Sequence, residues 1–122
     1  MLTVPPSLFA RYTTKDKEEK CGLIYYDENN KHCLAELKNN HENPLAHFRI
    51  NNNDVMNFLL HNSKAVIVGI YHTHNLEDTE EPSNEDMDKL PQTLFGIVYH
   101  PLTMTITWYD SHGIIKTISI KD

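Results

Sequence analysis

His72 and His74 stand one residue apart at the end of an apolar run, Ala65-Val-Ile-Val-Gly-Ile70. Side chains two apart on a strand share a face, so both imidazoles can aim at one point and serve as a pair of metal ligands. Taken alone, the pair reads as a strand emerging into solvent sooner than as a metal site. Pro82-Ser-Asn-Glu-Asp86 follows, with Ser83 and Asp86 at the spacing of a capping box, the ordinary signature of a helix start. A carboxylate on a short helix just after the histidine strand is also a third ligand of the right kind. Two histidines, one carboxylate and an open position form the ligand set of a catalytic zinc site, whereas a structural zinc closes its shell with a further protein ligand, commonly cysteine. No cysteine lies between His72 and Asp86. Such a site needs a base for the attacking water, and Glu19, two residues before Cys21, is a carboxylate at the start of a neighbouring strand. Local sequence alone places Glu18 and Glu19 in a solvated charged run, Lys15 to Lys20.

The elements that must carry these residues follow from periodicity. Pro5 and Pro6 precede Leu8, Phe9 and Tyr12 at helical spacing, which predicts a short N-terminal helix over Ser7 to Tyr12. Cys21 to Tyr26 and His32 to Leu37 read as strands joined through the turn residues Asp27 to Asn30. Val55, Met56, Leu59 and Leu60 predict a helix from about Asn53 to Asn62, with Asn51 to Asp54 offering cap oxygens and a first-turn carboxylate. Lys64 to Ile70 reads as a strand buried on both faces, delivering Tyr71-His-Thr-His74 at its end. Ser83 to Leu90, closed by Pro91, reads as a short helix. Leu94 to Tyr99, Met104 to Tyr109 and Ile114 to Ile120 are three further strands. The order α-β-β-α-β-α-β-β-β predicts an α+β domain: a single mixed or antiparallel β-sheet flanked by helices.

Composition narrows the partners. A chain of 122 residues is one domain in size, and its formal charge of −6 comes with no cluster of Lys and Arg. Nucleic acid and anionic membrane surfaces are therefore not expected partners. No apolar run approaches the ~20 residues that span a bilayer, and the N-terminus lacks a basic start followed by a long apolar stretch. Two cysteines, Cys21 and Cys33, are too few for a disulfide scaffold and read as buried free thiols in a reducing compartment. The expectation is a soluble, cytoplasmic protein. His32, His41, His47, His61, His100 and His112 occur singly, each reading as a surface or hydrogen-bonded histidine rather than a ligand.

The segments Glu19-Lys-Cys-Gly-Leu-Ile24, Asn43-Pro-Leu-Ala-His-Phe48, Ile67-Val-Gly-Ile-Tyr-His-Thr-His74 and Pro82-Ser-Asn-Glu-Asp86, in this order, resemble the JAMM (MPN+) zinc metallopeptidases. The likeness runs from about Glu18 to Tyr109. It implies the JAMM/MPN architecture, related to that of cytidine deaminases. It also implies Zn2+ held by His72, His74 and Asp86, Glu19 as general base on the attacking water, and Ser83 orienting or stabilising the oxygen that becomes negative. Asn75 replaces the proline common after the second histidine, and the eight-residue stretch Asn75 to Pro82 is one residue longer than is common in the family. This stretch is acidic, with Glu77, Asp78, Glu80 and Glu81. The implied function is zinc-dependent hydrolysis of peptide or isopeptide bonds, on a protein or peptide substrate such as a ubiquitin-like C-terminal tail or a phage tail protein. The chain looks similar to the compact prokaryotic and phage branch. Its E-x-C-G and N-P-x-x-x-F segments lean toward the tail-associated type, which would place it in a bacterial or phage-infected cytoplasm or with the virion. The competing class is a non-catalytic assembly protein in which zinc only ties strand to helix. Oligomeric state is left open, with strand edges after Thr103 available to a second copy.

Overall fold

A computed structural model describes residues 4–75 and 79–120. Six strands form one sheet: β1 (Cys21–Tyr26), β2 (His32–Leu37), β3 (Val66–Thr73), β4 (Phe95–His100), β5 (Thr105–Asp110) and β6 (Gly113–Ser119). Among the described residues, two α-helices, α1 (Asn52–His61) and α2 (Asn84–Lys89), interrupt them. The spatial order is β2-β1-β3-β4-β5-β6, antiparallel throughout except for the parallel pair β3–β4. A parallel pair needs a crossover connection, and the segment from His74 through α2 supplies it. The expected α+β architecture with one mixed sheet is therefore present.

Alternation along the strands gives the sheet two unlike faces. On one, Ile24, Tyr71, Ile97, Tyr99, Ile106 and Trp108 pack with Val4, Phe9 and Tyr12. On the other, Val98, Tyr109 and Ile70 pack beneath Leu90, Met87 and Leu94 of the α2 region. The N-terminal segment is a single 3₁₀ turn, Pro6–Phe9, rather than the expected helix to Tyr12. Leu8 N–H bonds Pro5 O at 3.1 Å within the turn, and the i to i+3 pattern recurs past it, from Tyr12 N–H to Phe9 O at 3.1 Å. Three residues per turn bring Phe9 and Tyr12 to one side, where both are buried. The Tyr12 hydroxyl then meets that of Tyr71 at 2.6 Å.

β3 departs from the expectation of burial on both faces. Its last three residues are buried, but Val66 is 58% exposed. β4 joins β3 only from Gly69 onward, so the start of β3 has a strand neighbour on one side alone. α1 buries none of its residues fully, and Met56 and Leu60 face solvent. Cys21 is buried, whereas Cys33, on edge strand β2, is only half-buried, which corrects the expectation of two buried thiols. His100 is buried at the end of β4.

Candidate metal centre

β3 ends beside α2 on the face that α2 covers. Asn84–Lys89 forms a helix because Ser83 caps it: the serine Oγ accepts from Asp86 N–H at 3.1 Å, and Asp86 Oδ2 accepts from Ser83 N–H at 2.8 Å. This reciprocal pair fixes the Asp86 carboxylate at the end of the histidine strand. His72 Nε2 lies 3.1 Å from His74 Nε2 and 3.1 Å from Asp86 Oδ2, and His74 Nε2 lies 3.6 Å from the same oxygen. A tetrahedral ion with bonds of about 2.0 to 2.2 Å sets its ligand atoms about 3.3 Å apart. The triangle has the edges that one such ion demands, so the residues fit a metal.

The surroundings orient these ligands. His74 Nδ1 lies 2.8 Å from Thr79 O, an acceptor only, and this contact orients the ring with Nε2 toward His72 and Asp86. The ring of Phe48 stacks on His72, with centroids 4.3 Å apart and planes 19° apart. Burial by itself raises the pKa of the Asp86 carboxyl, but the polar contacts with His72 and His74 and the Ser83 N–H outweigh it. The carboxyl is held well below the ordinary carboxylate range.

Glu19 is not part of a solvated run. Glu18 is exposed, but Glu19 is buried, and its carboxylate lies with a nitrogen of His72 and one of His74 inside a 4.8 Å cluster. The backbone explains this. Glu19 N–H donates to Pro44 O at 2.7 Å, and Lys20 N–H donates to Thr73 Oγ1 at 2.8 Å, while Thr73 N–H returns to Lys20 O at 2.8 Å. Asn39 Nδ2 donates to Glu19 O at 2.8 Å. The threonine between the two histidines thus clamps the base candidate onto the histidine strand. Burial, with the charges of Asp86 and Glu19 beside it, pushes the Tyr109 hydroxyl well above its ordinary range.

A cleft of about 310 Å³ opens over the centre, lined by Glu19, His47, His74, Ser83, Glu85 and Asp86 among others. A second, apolar cavity of about 470 Å³ lies behind Asp86, between Leu23, Val55, Ile70, Leu90 and Tyr109. Glu80 and Glu81 of the acidic stretch are exposed, and Glu81 lines the cleft. Glu77 and Asp78 lie outside the described residues. Asn39, Thr73, Phe48 and the Thr79 carbonyl were not singled out as site residues by sequence reasoning. Only Phe48 carried a signal, as the end of the N-P-x-x-x-F segment.

Residues 7–112 match the model of a domain family described as prokaryotic homologs of the JAB domain. The chain belongs to this Prok-JAB family. The match covers most of the sequence and bears out the JAMM resemblance, but it selects no phage-type branch. The solution structure of protein DSY2949 from Desulfitobacterium hafniense superposes with a TM-score of 0.66 over 93% of this chain and 84% of that one. At 17% identity it supports the fold alone. No curated protein matches the chain. A Prok-JAB domain with a metal-sized ligand triangle and a buried carboxylate beside it has the groups for metal-dependent hydrolysis. Among the described residues, no helix is long and apolar enough to cross a membrane.

Proposed function

We propose that this Prok-JAB domain is a zinc-dependent hydrolase of peptide or isopeptide bonds. The observation that carries the reading is the His72–His74–Asp86 triangle, with edges of 3.1, 3.1 and 3.6 Å, joined by the buried carboxylate of Glu19. His72, His74 and Asp86 would hold the ion, and two nitrogens with one oxygen suit Zn2+. A bound zinc ion supplies Lewis acidity, making water easier to deprotonate and a carbonyl easier to attack.

The protein's own groups do the rest. Glu19 takes a proton from the attacking water and passes it to the nitrogen that leaves. Its burial keeps bulk water from competing for that proton. Ser83 Oγ accepts from Asp86 N–H, so its own O–H is still available to donate to the oxygen that gains charge. Glu80 and Glu81 favour a basic segment in the substrate. The substrate is a protein or peptide, such as an extended C-terminal tail of the ubiquitin-like kind.

Zinc-loaded wild type and Glu19→Gln are to be compared on peptide libraries and ubiquitin-like fusions. The proposal expects the wild type to cleave and the variant to be slower by about 100-fold or more, with zinc content unchanged. Zinc retained by both, with no Glu19-dependent cleavage of any substrate, would establish the scaffold role instead.

A further inference from the structure

A second set of donors converges at the rim of the same cleft. The rings of His41 and His47 have centroids 4.8 Å apart and planes 30° apart, a spacing close to the 4.9 Å between His72 and His74. His47 Nδ1 lies 3.2 Å from Glu85 Oε2. One ligand atom from each of His41, His47 and Glu85 falls within a 4.8 Å cluster. We propose that His41, His47 and Glu85 form a second divalent-metal site, weaker than the first and suited to zinc or a similar borderline ion. Two imidazoles and one carboxylate are donors such ions accept.

The site is preorganised from both sides. Asn39 Oδ1 accepts from His41 N–H at 3.0 Å, and Asn39 Nδ2 donates to His47 O at 2.9 Å, so a single amide sets the backbone of both histidines. Lys89 Nζ binds Glu85 Oε1 at 2.8 Å and Phe48 O at 3.0 Å, which leaves Oε2 turned to His47.

The same neighbours make this site the weaker. The side chains of His47 and Glu85 are 41% and 45% exposed, and Lys89 competes for the carboxylate. His41 Nδ1 already accepts from Asn43 N–H at 3.0 Å, an arrangement that ligation must disturb. His47 and Glu85 also wall the cleft over the first centre, so the second site lies at that cleft's rim.

The test is a zinc titration of the metal-free, full-length protein against a chromophoric chelator. The wild type should bind two equivalents, one tight and one weaker. His41→Gln and His47→Gln should each weaken the second equivalent at least about tenfold and leave the tight one unchanged, since each removes one of three ligands. Glu85→Gln, on the exposed face of α2, should do the same and guards against a misfolded histidine variant. Absence of the weaker equivalent from the wild type, or its survival in all three substitutions, overturns the proposal. The inference uses no ligand of the first centre. A missing tight equivalent beside a weaker one lost in His47→Gln would defeat the first assignment and uphold this one.

Discussion

Ser83 serves two partners at once. Its hydroxyl oxygen caps α2 through Asp86 N–H, while its backbone N–H holds Asp86 Oδ2 in the ligand triangle. Ser83→Ala should cost about 1 kcal/mol of stability through the lost cap, read by denaturant unfolding. It should also slow hydrolysis by about 100-fold or more if the hydroxyl donates to the developing oxyanion. Ser83→Thr, which keeps the oxygen, should restore the stability, and an activity loss no greater than the cap accounts for would remove the oxyanion role. The histidine pair and the S-x-x-D spacing were readable in the sequence because each acts within a few residues of chain. Glu19 was not, since its burial depends on Pro44, Asn39 and Thr73, and no local pattern distinguishes it from Glu18. Only the family resemblance drew it out.

β4 and β5 illustrate how an element positions the centre without touching it. Gly96 lies beneath Tyr109, and a Cβ there would come within 2.3 Å of the tyrosine ring, which itself faces His72 at 6.3 Å between centroids. Gly96→Ala should therefore destabilise the domain by roughly 1 to 3 kcal/mol, a shift in thermal or denaturant midpoint that a surface Gly→Ala change would not produce. Element type was predictable where periodicity is strong, as in β1, β2, β3 and α2. Misreadings occurred where tertiary context sets the outcome. The Phe9/Tyr12 segment winds as 3₁₀ because both rings must enter the core on one side, and β3 starts exposed because β4 pairs with it only from Gly69. The apolar stripe of α1 gave the helix its place in the chain but not its depth, since Met56 and Leu60 remain exposed.

Across the domain, the sheet separates two chemistries. One face is an aromatic core locked by the Tyr12–Tyr71 hydroxyl pair, and the other carries the polar centre under α2. Burial raises Tyr12 and pushes Tyr71 up to about 12 against an ordinary value of 10.0, with the Tyr12 bond opposing the shift at Tyr71. A folded pKa above the unfolded one favours the protonated form, so this contribution to stability is complete below pH 10 and declines as pH rises toward 12. Denaturant midpoints measured from pH 8 to 12 should be flat at first and then fall, with a shallower fall in Tyr71→Phe. An equally steep fall in that variant would assign the alkaline transition to other groups. The formal charge of −6 takes on a more particular meaning once Glu81 and Glu85 are seen to line the cleft over the centre.

The most direct test is the zinc content of metal-replete protein after dialysis against a weak chelator, for wild type and for the His72→Ala, His74→Ala double variant. The wild type should retain one tightly held zinc per chain, and the double variant should lose it. Absence of tight zinc from the wild type, or its persistence in the double variant, would contradict the assignment of His72, His74 and Asp86 as the metal centre.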